Sequence, residues 1–316
     1  MNRLYKKITH QRLSQIKDGH IIIKDGESIS KYGKQGNLSA KINVLDFVFY
    51  KNIILGGTIG ASESFIRGEW SSSNLTNVIR VLARNTEAQD KLENFFTLLF
   101  QPFLKVMHKL NENSVRGSKK NISRHYDLSN DFFSLFLDKN MMYSSAIYKT
   151  RKTSLEDAAI NKLDVICKKL KLKKTDHIIE IGTGWGGFAI YAVKNYGCKV
   201  TTTTISIEQY KFAKQKIKEA GLGRQINILL KDYRLLKGQY DKVVSIEMIE
   251  AVGYQFYDEY FKIISQLLKD DGDALIQAIT IKDQRYSKAI HSVDFIQKYI
   301  FPGSCIPSIT AIQNSL

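Results

Sequence analysis

Short apolar runs alternate with amphipathic stretches along the second half of the chain. The runs predict strands at 177–181, 198–205, 226–230, 241–246 and 273–280. Helical spacing predicts helices at 187–195, 206–220 and 255–269. Strands and helices that alternate in this way are typical of a doubly wound, Rossmann-like parallel sheet of the α/β class.

A further helix is predicted just before this alternation. Ser154 and Asp157 have the spacing of a capping box, in which the serine side chain bonds the backbone of the residue three positions on. Apolar residues follow at helical spacing, which indicates one buried face. They are Leu155, Ala158, Ala159, Leu163, Ile166, Cys167 and Leu170.

Residues 1–110 read as a smaller α+β domain, and residues 111–316 as the larger one. An apolar strand at Ile21–Ile23 precedes an Asp-Gly turn signal, and apolar and polar positions alternate over 38–44. Gly56, Gly57 and Gly60 are expected to break the chain. Apolar residues at 95–107 suit a helix packed between domains or one lying in a bilayer interface. The small domain is therefore expected to serve membrane docking or dimerisation.

The first strand of the larger domain ends in the turn Glu180-Ile181-Gly182-Thr183-Gly184-Trp185-Gly186-Gly187. Such a turn before a helix presents backbone amides to a nucleotide-like ligand. The glycine spacing misses the dinucleotide fingerprint by one residue, and the next strand, 199–205, carries hydroxyls where that fingerprint needs an acid. An acidic residue just before the turn instead favours S-adenosylmethionine (SAM).

The chain is strongly basic, with a formal net charge of +16 and a pI near 9.5 over 316 residues. That charge suits an anionic membrane surface or a nucleic acid, unless it only reflects a lysine-rich genome. The basic N-terminus lacks the apolar segment of a secretion signal, and no apolar run reaches the length of a membrane span. We expect a cytoplasmic protein, peripheral at the inner membrane face. Three cysteines and scattered histidines predict no metal site.

Seven motifs, in the same order along the chain, resemble the cyclopropane-fatty-acyl-phospholipid synthase family, which includes the mycolic acid cyclopropane synthases. They cover about residues 123–310. The motifs are Ser123-Arg124-His125-Tyr126-Asp127-Leu128-Ser129-Asn130-Asp131-Phe132-Phe133, Met142-Tyr143-Ser144, Glu180–Gly186, Thr204–Gln209, Asp232-Tyr233-Arg234, Met248–Gly253 and Tyr299–Gly303.

The resemblance implies a SAM-dependent methyltransferase that acts on a cis double bond within a membrane phospholipid's acyl chain. Loss of a proton from the added methyl group then closes a cyclopropane ring. An alkene is a poor nucleophile, so the site must align it tightly and exclude water. In the family the base is thought to be a bound bicarbonate.

The resemblance also implies which residues meet SAM. Thr204 and Gln209 would lie near the ribose, although Thr204 also suits a plain strand position. Trp185 would lie along the amino-acid part of SAM or pack under the helix. The full set is Tyr143, Ser144, Glu180, Gly182, Thr183, Gly184, Trp185, Gly186, Thr204, Gln209, Tyr233 and Arg234.

The predicted catalytic residues are Glu250, Ser145, Gln277 and Ile279, of which the first helps to hold bicarbonate by resemblance. Glu250 follows the fourth strand at the sheet's carboxyl edge, although it also suits a solvated acid at a helix start. Glu247 is the weaker candidate. Many family members have cysteine at the position of Ser145, and some have histidine at that of Gln277.

Family members usually continue for about 100 residues beyond Leu316, so we expect a C-terminally truncated member. A homodimer or a separately encoded C-terminal fragment are expected partners. Alternatives are a methyl- or methylene-branching lipid methyltransferase and a non-catalytic SAM- or lipid-binding remnant. A nucleic-acid methyltransferase ranks lower, because the chain reads Glu247-Met248-Ile249-Glu250 where base-methylating enzymes carry an Asn/Asp-Pro-Pro-aromatic motif.

Overall fold

The computed structural model describes residues 2–85, 113–114, 117–118 and 129–316. The chain divides into two compact units, residues 1–107 with 292–295 and residues 108–291 with 296–316. The apolar stretch at 95–107 and most of the motif that begins at Ser123 lie outside the described residues. Within the described ranges, no helix has the length and apolarity needed to cross a bilayer.

The described residues of the first unit form three helices and a mixed four-stranded sheet with the order β2-β1-β3-β4. The predicted Asp-Gly turn is confirmed, since it joins β1 to β2, which pair antiparallel, whereas β1 and β3 pair parallel. Ile21 and Ile23 alternate into the core, as the strand pattern predicts. The elements are α1 (Asn2–Leu13), β1 (His20–Asp25), β2 (Ser28–Gly33), β3 (Ser39–Val44), α2 (Val48–Ile66), β4 (Trp70–Ser71) and α3 (Leu75–Arg84).

The expected glycine break at 56–60 is confirmed at Gly57, where the helical geometry of α2 is interrupted and two helical segments meet at a kink. Gly57 has φ 56° and ψ −137°, a conformation that glycine tolerates without strain. Gly60 lies so close to the backbone carbonyl of Asn52 that a β-carbon would collide with it. Glycine is therefore needed at both positions for the kink inside α2.

The second unit is built on a five-stranded, all-parallel sheet with the order β7-β6-β5-β8-β9. The predicted doubly wound sheet is confirmed. The last strand begins five residues earlier than predicted, at Leu268, with a register shift opposite Tyr240–Lys242. The elements are α4 (Asn130–Ser134), α5 (Leu155–Lys169), β5 (His177–Ile181), α6 (Gly187–Tyr196), β6 (Lys199–Thr204), α7 (Ile207–Glu219), β7 (Ile226–Leu230), β8 (Tyr240–Ile246), α8 (Tyr257–Leu267), β9 (Leu268–Gln277), α9 (Asp283–Ala289) and α10 (Ile309–Asn314).

The order of this sheet fixes where a ligand crevice forms. The chain moves from β5 outward through β6 to β7, then crosses back to β8 on the other side of β5. Loops that follow β5 and β8 therefore diverge at the carboxyl edge, and open α/β sheets bind ligands at such a switch point. The predicted cap of α5 is also confirmed, since the Ser154 side chain accepts from the amide of Asp157.

Candidate functional site

The glycine turn after β5 lies at this switch point. Gly182, Gly184 and Gly186 have φ values of 99°, 53° and 91°, which side-chain-bearing residues rarely adopt. The amides of Gly182 and Thr183 both donate to the carbonyl of Thr203, at 3.1 and 2.9 Å. At Gly184 a β-carbon would meet open space. These two hydrogen bonds therefore hold the turn against β6, while its central part, at Gly184, is open to a ligand.

Two side chains predicted to touch the cofactor, Glu180 and Thr183, turn inward. The Thr202 hydroxyl donates to Glu180 Oε2 at 2.6 Å, and the Thr183 and Thr202 hydroxyl oxygens are 2.7 Å apart. Since the hydrogen of Thr202 goes to the carboxyl, Thr183 donates to Thr202. Burial raises the pKa of Glu180 to about 8. This chain of hydrogen bonds stiffens the turn where β5 meets β6.

The segment from Met142 to Ser145 crosses the carboxyl edge above the turn. At one end, a β-carbon at Gly187 would lie 3.0 Å from the Asn140 carbonyl and collide with the Met142 sulfur. At the other end, the Ser145 hydroxyl donates to Glu247 Oε1, at 2.9 Å, beyond the end of β8. The segment therefore spans from the start of α6 to the end of β8.

A buried lysine that sequence reasoning missed lies beneath this segment. Lys162, on α5, is 1% exposed, and its ammonium donates to the hydroxyl of Ser144. Burial lowers the pKa of Lys162 to about 8, while the charges of Glu247 and Asp138 act in the opposite direction. An ammonium bonded to the Ser144 oxygen leaves the hydroxyl hydrogen to be donated elsewhere, which suits an anionic group in the crevice.

The predicted residues Ser145 and Gln277 converge on Glu247. Its Oε1 atom accepts from the Ser145 amide at 2.8 Å, the Ser145 hydroxyl at 2.9 Å and Gln277 Nε2 at 2.8 Å. Glu247 has φ 48°, an unusual value for glutamate and one that tends to occur at functional sites. We call these three donor groups the Ser145–Gln277 cradle.

Glu250 lies beside the cradle. Its Oε1 atom accepts from the amide of Ile279 at 2.5 Å, which brings together two more of the predicted catalytic residues. Its Oε2 atom is buried and has no partner among the described groups. Burial raises the pKa of Glu250, and the charge of Glu247 adds to the effect. Glu250 therefore offers an acceptor to a ligand group that can donate a hydrogen bond.

The remaining predicted cofactor residues divide into two groups. Thr204 donates to Gln209 Oε1 at 2.8 Å, which leaves the amide nitrogen of that glutamine to donate to a ribose hydroxyl. Tyr143 and Trp185 lie on an aromatic cluster, their ring centroids 6.4 Å apart. Trp185 is 3% exposed and donates to Asn130 at 2.7 Å. This geometry supports packing of Trp185 under the helix rather than contact with the amino-acid part of SAM.

The side chains of Tyr233 and Arg234 do not join the site. The Arg234 guanidinium forms a two-pronged pair with Asp232, at 2.9 and 2.7 Å, and donates to the Asn113 carbonyl and the Ser118 hydroxyl. The two charged side chains are 6% and 8% exposed. Tyr233 packs in the core against Tyr260. A buried guanidinium with four hydrogen bonds holds the loop after β7 rather than reaching a cofactor.

Known proteins resemble this chain in both sequence and fold. The family model for mycolic acid cyclopropane synthetase matches residues 113–316. The chain belongs to the mycolic acid cyclopropane synthetase family. It is 37% identical to the cyclopropane-fatty-acyl-phospholipid synthase of Escherichia coli, over 89% of this chain and 70% of that protein. It is 40% identical to the tuberculostearic acid methyltransferase UfaA1 of Mycobacterium tuberculosis, over 81% of this chain and 61% of that protein.

The fold of the second unit is that of class I SAM methyltransferases. The solved mycolic acid cyclopropane synthase CmaA1, in complex with SAH and CTAB, superposes with a TM-score of 0.58 and 32% identity. The superposition covers 62% of this chain and 72% of that structure. The family membership predicted from the motifs and the fold predicted from the alternation of strands and helices are both confirmed.

Proposed function

We propose that this chain transfers a methyl group from SAM to a cis double bond in an unsaturated phospholipid acyl chain and then closes a cyclopropane ring. The observation that carries the proposal is the convergence at the sheet's switch point. At this carboxyl edge of the sheet lie the glycine turn, the Tyr143–Ser145 segment and the two carboxylates Glu247 and Glu250.

The donor and acceptor groups suit SAM. Gly184 opens toward the crevice, Gln209 offers its amide near the end of β6, and Ser144 offers a hydroxyl hydrogen. The open space at Gly184 suits the adenosine of SAM, the Gln209 amide suits its ribose, and the Ser144 hydroxyl suits its carboxylate. When bound, SAM supplies an electrophilic methyl group, and the protein's part is to orient the alkene and exclude water from the cation that forms.

Lipid analysis tests the proposal. Cells expressing the chain should convert cis-monounsaturated phospholipid chains to products that are one CH₂ heavier, with the cyclopropane protons visible by NMR. A Gly184→Val control, which puts a branched side chain at a left-handed position, should abolish the conversion. If SAH binds but the lipids are unchanged, the chain is a non-catalytic SAM-binding protein.

A second candidate is a branching methyltransferase, which the similarity to the tuberculostearic acid methyltransferase favours. Both reactions share the cation formed by methyl transfer, and the position of the base decides which carbon loses a proton. Gas chromatography of the same lipid extracts separates cyclopropane, methylene-branched and methyl-branched chains. A branched product without any cyclopropane would favour this candidate.

We also propose that the second unit meets the membrane at the end of α4. Phe132, Leu135 and Phe136 are 44%, 81% and 47% exposed, and exposed apolar groups of this size suit insertion among lipid headgroups. Lys139 and Arg151, in the same part of the chain, are exposed and suit an anionic surface. Leu135→Ser should reduce pelleting with anionic vesicles, whereas Leu230→Ser, 48% exposed at the end of the edge strand β7, should not.

A further inference from the structure

The Ser145–Gln277 cradle should be open if a bound bicarbonate is to act as the base. Here one carboxylate oxygen of Glu247 already accepts all three of its hydrogen bonds. A bicarbonate would have to displace that carboxylate and leave it close to a second anion, which is unfavourable. The donors therefore do not fit a bicarbonate while Glu247 is present.

We propose that Glu247 takes the place of bicarbonate and is itself the proton acceptor of the reaction, an inference that rests on the proposed function. Its carboxylate occupies the position where the cradle would hold a free anion. The chain would then carry its base covalently and need no bicarbonate.

The geometry of Glu247 suits this role. Oε1 is anchored by the cradle, whereas no group in the described ranges donates to Oε2, so that atom is available to receive a proton. The next residue, Met248, places its Cγ atom 3.4 Å from where a β-carbon of Gly182 would be, so the backbone at 247–248 passes beside the cofactor turn. The Glu247 backbone has φ 48°, and its side chain reaches the amide and hydroxyl of Ser145.

The step balances without a further reactant. The alkene's π electrons form the new C–CH₃ bond as the sulfur–methyl bond breaks, which leaves a carbocation and neutral SAH. Glu247 Oε2 then removes a proton, and the released C–H electron pair closes the ring or forms a double bond. Glu247 ends as a carboxylic acid, which returns its proton to solvent. Each turnover thus releases one proton and consumes no bicarbonate.

Binding of labelled bicarbonate tests the inference independently of turnover. In ¹³C NMR titrations the wild-type chain should not bind [¹³C]bicarbonate at millimolar concentration. Glu247→Gly should bind it, because that change empties the cradle and glycine tolerates φ 48°. Wild-type binding equal to that of Glu247→Gly would overturn the inference, as would a lack of binding by both proteins.

Turnover provides the second arm. Wild-type activity should be unchanged in CO₂-depleted buffer, and Glu247→Gln should lower it about 10²- to 10⁴-fold, the usual contribution of a general base. SAH affinity should change less than threefold, and bicarbonate should rescue Glu247→Gly but not Glu247→Gln. The exposed control Glu219→Gln should behave as wild type.

The two proposals can fail separately. If the wild-type protein transfers methyl groups only when bicarbonate is added, the role of Glu247 is refuted and the proposed function stands. If the wild-type protein binds SAH yet modifies no lipid under any condition, the proposed function is refuted. In that case the bicarbonate titration still decides what occupies the cradle.

Discussion

Replacing the buried lysine beneath Ser144 should make the protein more stable and a poorer binder of SAM. Lys162 is 1% exposed, and burial lowers its pKa from 10.5 to about 8. At about 1.4 kcal/mol per pH unit, that difference corresponds to about 3 kcal/mol that the charged form costs the folded state. Lys162→Met keeps the shape and removes the charge. The lost hydrogen bond to Ser144 costs about 1 kcal/mol, so we expect the free energy of unfolding at pH 7 to rise by about 2 kcal/mol.

The sign of the pH dependence makes the test specific. Between pH 8 and 10.5 the unfolded chain holds the lysine proton and the folded chain does not, so wild-type stability should rise with pH across this window. The difference between wild type and Lys162→Met should shrink accordingly. Urea denaturation at pH 7, 9 and 10.5 measures this difference in the free energy of unfolding, and the exposed Lys169→Met serves as the control. A loss of more than about 2 kcal/mol at pH 7 would refute the reasoning.

Three further changes test the framework around the site. Burial raises the pKa of Glu180 from 4.5 to about 8, so the contribution of its protonated form to stability is full below pH 4.5 and is lost as pH rises through 8. In urea titrations the free energy of unfolding of wild type should therefore fall relative to that of Glu180→Gln between pH 4.5 and 8, and parallel curves would contradict this. Arg234→Met should lower the free energy of unfolding by about 3–5 kcal/mol, because it leaves Asp232 buried and unpaired. Adding Asp232→Asn should recover part of this loss. A loss under about 1 kcal/mol would show that the pair is dispensable. Gly60→Ala should lower the melting temperature, while Gly56→Ala, which meets no atom within 4 Å, should not; equal effects would rule out the close approach as the cause.

Local patterns predicted most of the second unit. The period of apolar residues located β5 to β8, and the Ser154 cap predicted where α5 begins. Lys162 was missed although its position carried a signal. It lies three and four residues after Ala159 and Ala158, on the apolar face of α5, where a lysine must be buried or must distort the helix.

Contacts between distant segments could not be predicted from such patterns. Glu247 ranked below Glu250 because its donors come from Ser145, 102 residues away, and from Gln277, 30 residues away. Its left-handed backbone also has no signature in the sequence, since glutamate rarely adopts it. Arg234 resembled a cofactor ligand by its motif, and only the fold shows that Asn113 and Ser118, 121 and 116 residues away, accept its hydrogen bonds.

The most direct test of the central claim is methyl transfer in a defined system. The purified chain should be incubated with [methyl-¹³C]SAM and vesicles whose phospholipids carry either cis-monounsaturated or saturated chains. The account predicts that the label enters only the unsaturated chains, as a ring or branch carbon, and that Gly184→Val abolishes it. Label in saturated chains, or no label in unsaturated chains although SAH binds, would contradict it.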